Sequence, residues 1–140
     1  MKLPPPRTLL PLLQKVKSVY VLWYGYYQIL PKPHRYSLGH RIDSLFIETI
    51  EAISSASFLQ KGEKQPYVRL AIKKLDTLRI LLMVLWETRS LENQRYAALS
   101  IPLDEIGKML GGWNGQLMKS LDYARDKQNS PNPTQRTGEK

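Results

Sequence analysis

A chain of 140 residues with 42% hydrophobic and 24% charged side chains has ordinary globular composition and is long enough to bury one core. It contains no cysteine, which excludes a disulfide framework and a thiolate metal site. Its 21 Lys and Arg against 12 Asp and Glu give a net charge of +9, a balance that bears on partners more than on fold: nucleic acid first, an anionic membrane surface second.

Pro4, Pro5 and Pro6 predict an extended start over residues 1–7, without the apolar run and cleavage site of a signal peptide. Thr8 is the expected N-cap of a first helix that runs to about Leu30, where Pro31 and Pro33 end it. Leu13, Val16, Tyr20, Trp23, Tyr27 and Leu30 recur at steps of three and four and form its inward stripe. The run from Ser18 to Leu30 is uncharged, yet too short to span a bilayer, so a cytoplasmic protein without membrane contact is expected.

Ser37 is the expected cap of a second helix carrying Leu38, Ile42, Leu45, Thr49, Ala52, Ala56 and Leu59, ending near Gln60 with Gly62 as the break. A third helix is predicted from Pro66 to about Ser90, with Ala71, Leu75, Leu78, Leu82 and Leu85 inward. After a polar link of Glu92, Asn93 and Gln94, a fourth continues to Asp126 through Tyr96, Leu99, Leu103, Ile106, Leu110, Trp113, Leu117 and Ala124. The phase carries across Pro102, which predicts a kink and not two helices. Residues 127–140 are polar and lack large apolar side chains, the composition of a disordered tail. Four amphipathic helices with short links predict an all-α fold, an antiparallel up-down four-helix bundle over residues 8–126.

Gly107, Gly111 and Gly115 fall one helical turn apart in the fourth helix, beside Gly112. Each costs a helix interior about 0.8–1 kcal/mol relative to alanine. The expected compensation is a second helix lying unusually close along the bare stripe.

Two helices carry more apolar surface than one bundle can cover. Ile80 and Val84 share the outward side of the third helix with Arg69, Lys73 and Glu87. Leu12, Val21, Leu22, Tyr24 and Ile29 fall off the inward stripe of the first. The surplus predicts self-association through Ile80 and Val84 or through Leu22 and Tyr24.

No catalytic constellation is visible. His34 and His40, the only histidines, cannot close a metal site by themselves, and no phosphate loop follows Gly111-Gly112. No enzyme activity, metal or cofactor is therefore expected. The cations suit binding better: Lys32, Arg35 and Arg41 near one bundle end, and Arg69, Lys73, Lys74 and Arg79 along the third helix. Tyr36 is expected to plug the bundle end, with stacking on an unpaired base as its alternative.

Three blocks carry a family resemblance: His34-Arg35-Tyr36-Ser37-Leu38-Gly39-His40-Arg41-Ile42-Asp43, Lys74-Leu75-Asp76-Thr77-Leu78-Arg79, and Leu103-Asp104-Glu105-Ile106-Gly107-Lys108-Met109-Leu110-Gly111-Gly112-Trp113. They resemble signature blocks of the Avd-type four-helix-bundle proteins, the accessory variability determinants of diversity-generating retroelements. The similarity spans roughly residues 19–121, and Pro102 departs from the pattern. The resemblance implies a homopentameric barrel with a basic surface. Its implied partners are the retroelement's reverse transcriptase and template RNA or DNA, and its implied role is support of mutagenic cDNA synthesis. A related branch, encoded within ribosomal RNA intervening sequences, shares the bundle. Membership there would imply a protein-interaction module with no retroelement role.

Overall fold

The computed structural model describes residues 9–129, so the expectations for Thr8, for residues 1–7 and for residues 130–140 lie outside the described residues. Four long helices account for most of the chain: α1 (Leu9–Gln28), α2 (His40–Phe58), α3 (Lys61–Glu87) and α4 (Asn93–Asn129). There is no strand among the described residues. Helix α4 passes through Pro102, as its phase predicts, and continues beyond Asp126. None of these helices is long and apolar enough to cross a membrane.

Their inward stripes meet in one core. Ile42, Leu45, Phe46 and Ile53 of α2, Leu75, Leu78, Leu82 and Leu85 of α3, and Leu99, Leu103, Ile106 and Leu110 of α4 are all buried. Each such side chain contributes about 1.5–3 kcal/mol when removed from water. Ala124, expected on the α4 stripe, is exposed.

In α1 the buried edge is Leu12, Val16, Val19 and Trp23, with Leu30 just beyond the helix, rotated from the predicted stripe. Leu12, expected outside, is buried, while Leu13, Tyr20 and Tyr27 are only half-buried. The cause is the polar end of the aromatic side chains. Trp23 sinks fully into the core because its indole Nε1 donates to Asp43 Oδ1 at 3.3 Å. Tyr20 stays at the boundary, half-buried with its hydroxyl near the Asp43 carboxylate. Trp23 stacks on Tyr27 and Phe46 at 5.5 and 5.9 Å between centroids, which ties α1 to the start of α2.

The connections differ most from expectation. After Pro31 in extended conformation the chain re-enters helix at once, as a turn Lys32–His34 and a wider π-turn Arg35–Gly39 that runs into α2. Ser37 is no cap; its hydroxyl donates to the Pro33 carbonyl at 2.7 Å. Pro33 fits because an N–H in the first turn has no helical acceptor anyway. A Cβ on Gly39 would lie 2.9 Å from Leu30 Cδ1, 3.0 Å from the His34 carbonyl oxygen and 3.1 Å from Tyr27 Cε1. The close approach in this fold is here.

Helix α3 begins at Lys61, five residues before Pro66, and Gly62 lies in its first turn, not at a break. Leu59 and Gln60, both extended, make the reversal. Lys64 then reaches back and donates to the Ala56 carbonyl at 2.8 Å, capping α2. Burial holds its ammonium below the usual lysine pKa.

The third link is earlier than predicted, because Asn93 and Gln94 already belong to α4. Arg89 adopts φ 65°, with its N–H bonded to Trp86 O at 3.0 Å and that of Ser90 to Leu85 O at 2.9 Å. This is a Schellman closure with arginine at the left-handed position that glycine usually fills.

The glycine stripe of α4 has no close neighbour. A Cβ on Gly107 would meet Arg79 Nη1 at 3.4 Å and Leu75 Cδ2 at 3.7 Å, and nothing lies within 4 Å of Gly111, Gly112 or Gly115. Four residues advance a helix by 400°, so each step turns the stripe about 40° away from α3. The expected tight contact is therefore absent beyond Gly107.

Candidate nucleic-acid interface

Side-chain pairs fix which cations share a surface. Glu48 of α2 accepts from Arg41 at 3.2 Å and from Lys74 at 2.9 Å, placing Arg41 and Lys74 on the α2–α3 side. Asp104 of α4 holds Arg79 and Lys108, each at 3.3 Å, on the α3–α4 side. Arg35 is turned inward, donating through Nε and Nη2 to the Leu30 carbonyl at 3.1 and 2.9 Å. It closes the end of the first helical rod, so its guanidinium is half-buried in a structural role.

Lys32, Arg69 and Lys73 are exposed and have no carboxylate partner among the described residues. Arg69 and Lys73, one helical turn apart, line a concavity of about 380 Å³ with Ile72, Asp76, Thr77, Ile80 and Asn114. Lys74, their neighbour in sequence, faces the other way. The seven predicted cations thus fall into four groups: Lys32 and Arg35 at the first turn, Arg41 with Lys74, Arg69 with Lys73, and Arg79 by itself, sharing Asp104 with Lys108, which was not among them.

The α3–α4 concavity continues into a cavity of about 410 Å³ over Ile80, Met83 and Tyr96, with Asp76, Arg79 and Ser100 at its polar positions. Beyond it lies a third hollow of about 470 Å³ between Arg79, Ile101 and Lys108. Tyr96 is held in place by Trp86, stacked on it at 5.0 Å, and Trp86 Nε1 donates to Asn93 Oδ1 at 2.6 Å. Sequence periodicity placed Tyr96 in the core stripe and gave Asp76 and Ser100 no role. Their only visible signal is a helical spacing that puts them beside the inward stripe.

The apolar surplus is exposed where expected on α1, with Val21 at 69% and Tyr24 at 52%, joined by Leu22 and Ile29. On α3, Ile80 is 60% exposed, whereas Val84 is half-buried. Tyr36 is 73% exposed and plugs nothing; Leu30 and Tyr27 close that end against Gly39. His34 pairs through Nδ1 with the Ser90 hydroxyl, linking the first and third connections, and His40 is exposed. No group of three or more metal-ligating side chains occurs among the described residues.

Two tyrosines beside Asp43 are perturbed. Burial, the hydrogen bond to Asp43 and the Asp43 charge together push the Tyr20 phenol up to about 12. Tyr27 is raised as well, by burial first and Asp43 second. Both serve to hold α1 on α2. On the pairing side, Arg95 sits 5.4 Å from the centroid of Tyr26, and Lys15 pairs with Glu105, so α4 is held to α1 by charge as well as by core.

What fold and surface define is an all-helical, four-helix protein with an excess of cations. Compared with protein-family models, with curated proteins and with solved structures, the chain matches none.

Proposed function

We propose that this chain is a nucleic-acid-binding accessory protein of a diversity-generating retroelement, acting without chemistry of its own. In this role it holds the reverse transcriptase and template RNA or DNA together during mutagenic cDNA synthesis. The observation that carries the binding is the pair Arg69 and Lys73, exposed beside a groove with no carboxylate partner among the described residues, in a chain of net charge +9. Phosphates supply what those cations lack, and their contacts give affinity without sequence preference. The retroelement assignment rests on the resemblance of the three sequence blocks to Avd-type proteins.

The bundle in this proposal is antiparallel and up-down. Cross-helix pairs support it, since they run in opposite order along each neighbouring pair. Gln65–Asn114, Arg79–Asp104 and Trp86–Tyr96 join α3 to α4, while Tyr20–Phe46 and Trp23–Asp43 join α1 to α2. Copies associate into a ring, by resemblance a pentamer, through the uncharged outer face of α1 that carries Leu22 and Tyr24. Val21, Gly25 and Ile29 extend that face, and apolar patches of this kind are a common mark of contact between proteins.

Arg69→Glu combined with Lys73→Glu tests the binding surface. The double variant is expected to keep its helix content and its oligomer mass and to lose RNA affinity. Its log-affinity against log-salt slope should fall by about 1.4, from about 0.7 for each single-strand phosphate released. Unchanged RNA affinity in a filter-binding titration removes the assignment. If the parent chain ignores RNA at physiological salt, it is instead a protein-interaction bundle.

A further inference from the structure

We infer that the α3–α4 groove takes an unpaired nucleotide, its base in the cavity over Ile80, Met83 and Tyr96 and its phosphate on Arg69 and Lys73. The inference rests on the nucleic-acid reading and adds to it the strand state and the place where a base enters.

The groove changes character along its length. At the Arg69–Lys73 end it is cationic, with Asn114 opposite. In the middle, a cavity of about 410 Å³ is walled by Ile80, Met83, Leu82, Tyr96 and Leu103, a volume within the range of small-ligand sites. Base pairs in a duplex are stacked and cannot reach such a cavity, whereas an unpaired base can turn out of its strand into it.

Two polar groups decide among occupants. The side chains of Asp76 and Ser100 border the middle cavity and make no hydrogen bond or ion pair among the described residues. An aliphatic ridge, such as the Val21–Ile29 face of α1 from a second copy, would cover both and pair neither, which is strongly disfavoured. A nucleobase presents apolar faces to Ile80 and Met83 together with an edge of donors and acceptors for Asp76 and Ser100. Asp76 borders both hollows, while Arg69 and Lys73, cations without a carboxylate partner among the described residues, line only the outer one. The Arg79 of the middle is already held by Asp104, so the phosphate finds its cations at the Arg69–Lys73 end. Apolar centre, hydrogen-bonding rim and cationic end together match the parts of one nucleotide.

The test compares a short single-stranded oligouridine with a duplex of equal length, using the full chain. The parent is expected to prefer the single strand by about fivefold or more, the low end of what one stacked base contributes. Ser100→Leu fills the cavity at constant charge and is expected to erase that preference, leaving duplex binding as it was. Asp76→Ala, at an exposed position, separates two mechanisms. General electrostatics make it bind single strands more tightly, whereas loss of a base acceptor makes it bind several-fold more weakly, which is the expected result. A central 5-iodouridine in the strand should crosslink to Tyr96 or Met83. Single-strand binding unchanged in Ser100→Leu and tightened in Asp76→Ala overturns the inference while leaving the phosphate surface standing. Failure of the parent to bind either probe overturns both. Shielding of a cysteine placed at position 80 (Ile80→Cys) without RNA would assign the groove to a second copy.

Discussion

Gly39 and the glycines of α4 make opposite uses of the same missing Cβ. At Gly39 three groups crowd the position a Cβ would take, one of them the fixed backbone oxygen of His34 at 3.0 Å. At Gly111, Gly112 and Gly115 the same position is open space. The junction of α1 with α2 is therefore built around a glycine, while α4 carries three that its packing does not require. Frequency of glycine in a segment says little about crowding; one residue in a tight turn outweighs three on an open face.

The largest expected effect lies at the crowded site. Gly39→Ala forces Leu30, Tyr27 and the π-turn apart, and overpacking of this kind costs about 1–3 kcal/mol. Urea denaturation reads it directly. Stability equal to the parent's would mean that the turn relaxes freely, and the contrast between the two regions would disappear.

The opposite sign is expected in α4. Gly111→Ala with Gly115→Ala places methyl groups in open space and restricts the unfolded chain, a gain of about 0.4–1 kcal/mol at each position. A stabilised double variant that loses RNA affinity would show that nucleic acid approaches this bare backbone. A destabilised one would reveal a close neighbour, as a second copy of the chain would provide.

The crowded region also has an alkaline signature. Tyr20 titrates near 12 in the folded protein against 10.0 for the free side chain, so its share of stability is complete below pH 10 and disappears as pH rises from 10 towards 12. Because Tyr20 is only partly buried, the share is on the order of 1 kcal/mol. Tyr20→Phe should flatten the decline of stability between pH 10 and 12, as measured by urea titrations across that range. A decline as steep as the parent's would move the effect to Tyr27.

The sequence made some of this legible for identifiable reasons. The stripes of α2, α3 and α4 are mostly aliphatic at regular helical steps, and, Ile53 apart, the buried leucines and isoleucines of these helices fall on them. The α1 stripe rotated because tyrosine and tryptophan are apolar bodies with polar tips, and Asp43, 20 residues beyond Trp23, decides how far each sinks. The cations were readable as a list but not as surfaces. Lys73 and Lys74 are adjacent in sequence, yet one lines the α3–α4 groove and the other pairs with Glu48, a distinction set by the register of α2 against α3. The helix starts at Lys32 and Lys61 were hidden behind Pro33 and Pro66, since proline fits early helical turns as well as it marks ends.

Arg89 is the third case in the comparison, a place where the backbone favours glycine and the chain has none. Its φ of 65° lies in the left-handed region, where a side chain costs about 1–2 kcal/mol relative to glycine. Glycine, however, loses more freedom on folding, which returns part of that gain. Arg89→Gly should therefore stabilise by roughly 0.5 kcal/mol, the smallest effect of the set, visible as a shift of the urea midpoint at unchanged slope. A net loss of stability would require the Arg89 side chain to make a contact worth more than the relief of its own backbone. Since Arg89 is exposed and pairs with no carboxylate among the described residues, that contact would have to come from outside them.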